Sequence, residues 1–256
     1  MLEQYQRNDA FLQQVNPVLK LVSLLLIIFT MITVLDPWTP LLMILLPGLA
    51  LWLLGDVPPH KFLLYLSPFS LFAFSFLWIS IVFPAQRGEQ IWFHIGPMPV
   101  AWENVMIGVS LGLRSLVFAA WSILFVMTTE PTRLMLALVQ HCKLPPRFGY
   151  GMMAAYRFIP LFRLELDQIR AAHRIRGLGE SRGLRGRWQQ TKRYSIPLLA
   201  SAIRKAERVA IAMESKGFDD NRNRSYYRTI DWSWKDAVFG MLIISIMMKI
   251  TFALPF

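Results

Sequence analysis

Residues Phe62–Phe83 read FLLYLSPFSLFAFSFLWISIVF and contain no charged side chain. A helix needs about 20 predominantly apolar residues to cross the hydrocarbon core of a bilayer. Trp78 lies toward one end of the stretch, where an indole ring suits the membrane–water interface. The stretch therefore predicts a transmembrane α-helix and indicates that the whole chain is a helical membrane protein.

Four more apolar runs accompany this stretch: Leu21–Leu35, Trp38–Leu54, Val105–Met127 and Ala237–Leu254. The first two are short for spanning helices, and we interpret them as a hairpin of two spans, with a shallower pair as the alternative. Arg114 interrupts the third run, and its cost in lipid predicts a side chain that faces the bundle interior or reaches an interface. A structural role for Arg114 is favoured over a role in transport. The predicted fold class is all-α, a polytopic helical membrane protein of about five transmembrane helices with a helical cytoplasmic domain. The stretch Pro84–Asn104 is predicted to be a loop.

The composition supports a bilayer environment. Hydrophobic residues make up 55% of the 256, including 18 Phe and 9 Trp, and this exceeds what one soluble core would bury. The single Cys142 excludes an internal disulfide and a cysteine metal cluster. The first residues lack the pattern of a cleaved signal peptide.

The charge is concentrated in one block. Residues 130–236 contain 21 Lys/Arg and 10 Asp/Glu, whereas the rest of the chain contains six of each. Positive charge beside transmembrane segments marks the cytoplasmic side. We therefore expect a membrane region at 1–129, a cytoplasmic domain at 130–236 and a final transmembrane helix at 237–256. The N-terminus is expected in the cytoplasm of a multi-pass protein of the cell membrane. Nucleic-acid binding is disfavoured, because the aromatic residues lie mainly in the apolar runs.

Within the basic block, the pattern predicts a short helix over Pro131–Gln140 and then two amphipathic helices. The first carries Phe162, Leu166, Ile169 and His173 at helical spacing and ends at Gly177. Glu180–Arg193 is predicted to be a connector, and the second helix follows Pro197 and ends at Gly217. Both helices therefore have the same ending.

The two endings are Ile175-Arg176-Gly177 and Ser215-Lys216-Gly217. A basic residue before a glycine is a common helix cap, because Lys or Arg complements the negative helix end and Gly accepts the left-handed conformation. Two such endings in one basic cytoplasmic block favour a docking function over capping alone. An Arg fork can also bind a partner carboxylate through two parallel hydrogen bonds.

Several motifs together resemble one family. They are Asn16-Pro17-Val18-Leu19-Lys20, Thr128-Thr129-Glu130-Pro131, Lys143-Leu144-Pro145, Arg157-Phe158-Ile159-Pro160, Ala172-His173-Arg174-Ile175-Arg176-Gly177 and Ala212-Met213-Glu214-Ser215-Lys216-Gly217-Phe218. The set resembles the transmembrane (T) component of energy-coupling factor transporters, over nearly the whole chain.

The resemblance implies a complex with two cytoplasmic ABC-type ATPases and a substrate-binding membrane (S) subunit. It implies that Ile175, Arg176 and Gly177, and then Ser215, Lys216 and Gly217, dock to the ATPases. Arg157, Arg174, Glu214 and Phe218 are the expected supporting residues. The family pattern at both ends is Ala-Arg-Gly, so this chain departs from it at Ile175, Ser215 and Lys216. Substrates of the family are vitamins, among them thiamine or its precursors, and transition-metal ions, and we favour a vitamin.

Catalytic and cofactor sites are not indicated. The chain has no G-x-x-x-x-G-K-[ST] phosphate loop, so ATP hydrolysis is expected only in partner subunits. The four histidines lack the spacing of metal ligands, and no cofactor is expected. Glu165 and Asp167 lie on different helical faces and are expected to solvate the helix rather than to form an acid–base pair. A stand-alone permease or a membrane-embedded enzyme with a basic cytoplasmic domain remains the alternative.

Overall fold

The computed structural model describes residues 10–33, 36–83, 91–95, 98–177, 183–219 and 225–253. These residues form nine helices and one β-hairpin. The helices are α1 (Phe11–Gln14), α2 (Pro17–Thr33), α3 (Trp38–Leu54), α4 (Pro59–Val82), α5 (Trp102–Thr128), α6 (Pro131–His141), α7 (Pro146–Ile175), α8 (Leu184–Ser215) and α9 (Trp234–Ala253). The strands are β1 (Ile91–Ile95) and β2 (Met98–Ala101).

The chain divides into two compact units. The first contains Met1–Ala137 and Ile230–Phe256, and the second contains Leu138–Thr229. The second unit falls inside the block that the charge pattern places in the cytoplasm. That this block lies on the cytoplasmic side of the membrane stays a prediction.

Two described helices of the first unit are long and apolar enough to cross a bilayer, α4 with 24 residues and α5 with 27. Helices α2 and α3 are apolar but contain 17 residues each. Large apolar side chains on these helices face outward; Phe29 is 75% exposed and Phe72 is 62% exposed. Such a surface requires an apolar solvent, so the prediction of an all-α helical membrane protein is confirmed. The number of spans stays a prediction, and residues 34–35 and 254 of two predicted spans lie outside the described residues.

Helix α5 is the centre of the first unit and packs against α2, α3 and α4. Its Trp121 is buried, and the indole Nε1–H donates a hydrogen bond to the backbone oxygen of Met43 in α3 at 3.0 Å. Val117 and Trp121 share a core with Met31 of α2 and Phe239 of α9. The buried indole therefore finds both apolar contacts and a polar partner inside the bundle.

Glycines let α5 approach α4 closely. A Cβ atom built on Gly112 would lie 2.8 Å from the backbone oxygen of Ala73, and one on Gly108 would lie 3.0 Å from the Cα of Leu77. Small residues at helix contacts are typical of membrane bundles, because dispersion contacts rather than water exclusion hold the helices together there. The α4–α5 contact is the most extensive between two helices in the described chain.

The prediction of a loop over Pro84–Asn104 is wrong in part. Strands β1 and β2 pair antiparallel within it, and α5 begins at Trp102. The charges, glycines and prolines of the segment indicate a loop, but Ile91–Ile95 is also rich in aromatic and β-branched residues, which favour a strand. Residues 84–90 and 96–97, with Arg87 and Glu89, lie outside the described residues.

The short helix of the basic block begins in the first unit and ends near the predicted place, at His141. Helix α7 begins at Pro146, in the second unit. The predicted connector over Glu180–Arg193 is wrong from Leu184 onward, because α8 begins there and continues through Pro197. The residues between Gln189 and Arg193 are mostly good helix formers. Gly183 has φ +85°, which places the break before the helix and not at the proline. Residues 180–182 lie outside the described residues.

Candidate functional site

The first predicted docking end closes α7. Arg176 follows the last helical residue, and Gly177 has φ +70°, a left-handed conformation that favours glycine. The Gly177 N–H donates to the Arg174 oxygen at 3.0 Å, and the Arg176 N–H donates to the Ala172 oxygen at 3.2 Å. Ile175 is 87% exposed. The glycine therefore ends the helix and leaves an apolar and a basic side chain in the open.

The second predicted docking end closes α8 in the same way. Gly217 has φ +77°, and its N–H donates to the Glu214 oxygen at 2.9 Å. The Phe218 N–H donates to the Met213 oxygen at 2.9 Å. These two bonds form a Schellman cap, which satisfies carbonyls at the helix end. The two ends thus share a glycine with positive φ, whose N–H donates to the backbone oxygen three residues earlier.

Each end leaves its terminal glycine exposed. No heavy atom lies within 4 Å of a Cβ built on Gly177 or Gly217. Arg176 and Lys216 are exposed, and no ion pair to either is found among the described residues. Capping through the backbone does not use the two charged groups, so both are available to a partner.

The two ends do not lie together. Near the start of α7, the ring of Tyr150 lies 5.5 Å from that of Phe218, just beyond the end of α8. Near the end of α7, the ring of His173 lies 5.5 Å from that of Tyr194, in the first third of α8. The helices are therefore antiparallel. With a rise of 1.5 Å per residue, Arg176 and Lys216 lie on the order of 35 Å apart, at opposite ends of the pair.

Glu165 joins the two helices between these ends. Its carboxylate accepts hydrogen bonds from the Ser201 hydroxyl and from the Lys205 ammonium of α8. These bonds, the one from Lys205 first, hold the pKa of the Glu165 carboxyl below its usual value. The expectation that Glu165 solvates its helix is therefore wrong, because the residue faces α8. Asp167, by contrast, is exposed and pairs with Arg170 on its own helix.

A groove of about 680 Å³ lies between the first half of α7 and the second half of α8. Small and apolar residues form most of its wall: Gly151, Ala154, Ala155, Phe158 and Phe162 from α7, and Ala202, Ile203, Ala206, Val209, Ala210 and Met213 from α8. Two of the four predicted supporting residues line this groove and two do not. Glu214 and Phe218 line the groove, whereas Arg157 and Arg174 lie exposed on α7.

A buried polar cluster in the first unit could not be predicted from the sequence. Lys20 is 2% exposed, and its ammonium donates to the backbone oxygen of Thr128 at 2.9 Å and to its hydroxyl at 3.3 Å. Asp236 is buried as well and accepts from the backbone N–H of Asn16 at 2.6 Å and of Ser233 at 2.8 Å. The sequence feature that points to this cluster is the Asn16–Lys20 motif, in which a lysine stands at the start of an apolar run. Its partners, more than 100 residues away, could not be identified from it.

Comparison with known proteins supports the resemblance. The sequence model of the CbiQ family, described as cobalt transport protein, matches residues 8–227. The energy-coupling factor transporter transmembrane protein EcfT of Thermotoga maritima is 27% identical over 262 residues, which cover 98% of this chain and 93% of the relative. The EcfT protein of Staphylococcus aureus is 28% identical over 263 residues, covering 96% and 94%.

A third relative, the EcfT protein of Bacillus subtilis, is 30% identical over 161 residues, covering 59% of this chain and 61% of the relative. The family match includes both helix ends and the Asn16–Lys20 motif. The chain therefore belongs to the CbiQ/EcfT family, the transmembrane components of energy-coupling factor transporters.

Proposed function

We propose that this chain couples ATP hydrolysis in two cytoplasmic ABC-type ATPases to a substrate-binding membrane subunit. The observation that carries the proposal is the pair of exposed basic helix ends, built alike and placed at opposite ends of one antiparallel helix pair. Like ends suit like partners, and a separation on the order of 35 Å suits two ATPase subunits better than one. Closure of the ATPases would move Arg176 and Lys216 together.

The two contacts differ in strength. Arg176 can offer a partner carboxylate two parallel hydrogen bonds, whereas Lys216 offers a point charge on a flexible stem. Ile175 adds an exposed apolar side chain at the first end, and Ser215 at the second end donates its hydroxyl to the Ala212 oxygen of its own helix. The α7 end is therefore proposed as the stronger docking contact.

The groove between α7 and α8 is proposed to contact the S subunit. Five alanines and one glycine in its wall leave room for close approach of a partner helix, as small residues do between membrane helices. Movement of the two helix ends would reach the S subunit through this surface. The substrate belongs to that subunit and is proposed to be a vitamin, such as thiamine or a precursor, or a transition-metal ion. The chain itself is proposed to be non-catalytic.

The proposed location is the cell membrane, with several passes. The net positive charge of residues 130–236 supports a cytoplasmic position for that block and for the N-terminus. Residues 1–129 and 237–256 are then the membrane parts. This arrangement presents both helix ends to cytoplasmic ATPases, as the coupling role requires.

The test compares the two ends. Arg176→Ala is expected to abolish uptake and weaken ATPase pull-down, because truncating one member of a buried charged pair costs about 2–5 kcal/mol. Lys216→Ala is expected to impair both less, and Lys216→Arg to be tolerated. Arg208→Ala is the matched control, since Arg208 is exposed on α8 away from either end.

Substrate uptake and ATPase pull-down are measured for each variant at matched membrane expression. If the single variants Arg176→Ala and Lys216→Ala both behave like wild type, these ends are ordinary helix caps.

A further inference from the structure

We propose that Glu165, bonded to Ser201 and Lys205, is the pivot about which the two coupling helices turn, and that it is a positioning residue for energy coupling. The inference rests on the proposed function, because it assigns a role to the crossing between the two docking ends. Glu165, Ser201 and Lys205 together form the pivot.

The pivot lies midway between the two ends. Glu165 is 11 residues before Arg176 on α7, and Lys205 is 11 residues before Lys216 on α8. At 1.5 Å per residue, each end is about 16 Å from the pivot along its own helix. Equal lever arms give equal displacement of both ends when the helices rotate about this point. A symmetric pair of ATPases would require such equality.

The hydrogen bonds of the pivot fix the angle between α7 and α8 as well as their point of contact. Ser201 donates to one carboxylate oxygen of Glu165 and Lys205 to the other, and the donors are one helical turn apart on α8. A carboxylate held at both oxygens restrains both sliding and rotation of α7 against α8. The Glu165 and Lys205 side chains are 18% and 29% exposed, so solvent screens their attraction less than that of a surface pair.

Other contacts also join the two helices. They include the ring pairs Tyr150–Phe218 and His173–Tyr194 near the two ends, and the ammonium of Lys205 lies 5.9 Å from the ring centroid of Phe162 beside the pivot. On one side of the pivot the helices separate to form the groove. The ion pair between Glu165 and Lys205 crosses from α7 to α8. The pivot therefore links movement of one helix end to movement of the other.

The experiment measures the distance between the two ends directly. Nitroxide labels are placed at Ala172→Cys and Ala212→Cys, two exposed positions one turn before the ends, in a Cys142→Ser background. The labelled chain is assembled with its ATPases and S subunit in lipid nanodiscs. Distance distributions are recorded by pulsed electron paramagnetic resonance without nucleotide and with ATP plus vanadate.

The pivot predicts a defined distance that shifts when nucleotide binds. Glu165→Gln is expected to broaden the distribution and to lose the shift, while the ATPases remain bound in pull-down because both ends are intact. The double change Glu165→Lys with Lys205→Glu is expected to restore both features by reversing the pair. Asp167→Asn is the matched control, because Asp167 lies two residues away, is exposed and pairs within α7.

A narrow, nucleotide-sensitive distribution in Glu165→Gln would overturn the pivot, and so would failure of the charge reversal to restore what Glu165→Gln loses. If the unsubstituted labelled chain shows no nucleotide shift, the coupling role itself fails. The width of the distance distribution of Glu165→Gln without nucleotide still decides whether these three residues fix how α7 and α8 cross. The two failures are therefore distinguishable.

Discussion

Replacing Gly112 by Ala tests how closely α4 and α5 approach. The added Cβ would lie 2.8 Å from the backbone oxygen of Ala73, and the same Cβ would lie 3.4 Å from the carbonyl carbon. The obstructing atoms belong to backbone, so no side chain can rotate away. One helix must shift by a few tenths of an ångström. That shift disturbs the packing along the whole contact between the two helices.

Gly240→Ala is the matched control. Gly240 also lies inside a helix, α9, and a Cβ there would meet only the Cδ2 of Leu19, at 3.9 Å, an ordinary contact. Both substitutions gain the same intrinsic preference of Ala over Gly for a helix, about 1 kcal/mol in water, so this gain cancels in the comparison. The difference that remains is the cost of overpacking, about 1–3 kcal/mol.

The assay is thermal unfolding of the purified chain in detergent. At about 2–4 °C per kcal/mol for a chain of this size, Gly112→Ala should unfold at least about 2 °C below Gly240→Ala. Equal midpoints for the two variants would refute the close approach of α4 and α5. A midpoint of Gly112→Ala above wild type would have the same meaning.

Three further outcomes are expected. Lys20→Met should lower stability by about 1.5–3 kcal/mol, because a buried carbonyl at the end of α5 loses a charged donor; Lys249→Met, at an exposed position, should show no such loss in the same unfolding assay. Gly217→Ala should weaken ATPase pull-down and cost roughly 1–2 kcal/mol of stability, since its φ of +77° suits glycine and nothing nearby can compensate. A cysteine at Arg185, in a Cys142→Ser background, should be protected from an impermeant maleimide added outside intact cells; labelling there would reverse the orientation proposed for residues 130–236.

The sequence predicted those features that depend on neighbouring residues alone. The apolar runs at 62–83 and 105–127 correspond to α4 and α5 because length and composition decide whether a helix can cross a bilayer. The helix ends at Gly177 and Gly217 are predictable as well, because a glycine after a helical pattern is a local signal. The start of α8 was missed because Pro197 looked like a boundary, although a helix can continue past a proline.

Tertiary structure alone decided which surfaces meet. The sequence presents two helices with like ends, but only their antiparallel packing separates those ends and brings Glu165 to Lys205. Likewise, nothing near Lys20 in the chain indicates that it ends against Thr128. Helix formation and helix caps arise from backbone hydrogen bonds within a few residues, so the chain encodes them locally. A contact between distant residues depends on how whole helix faces pack, and that arrangement is settled only when all the helices have come together.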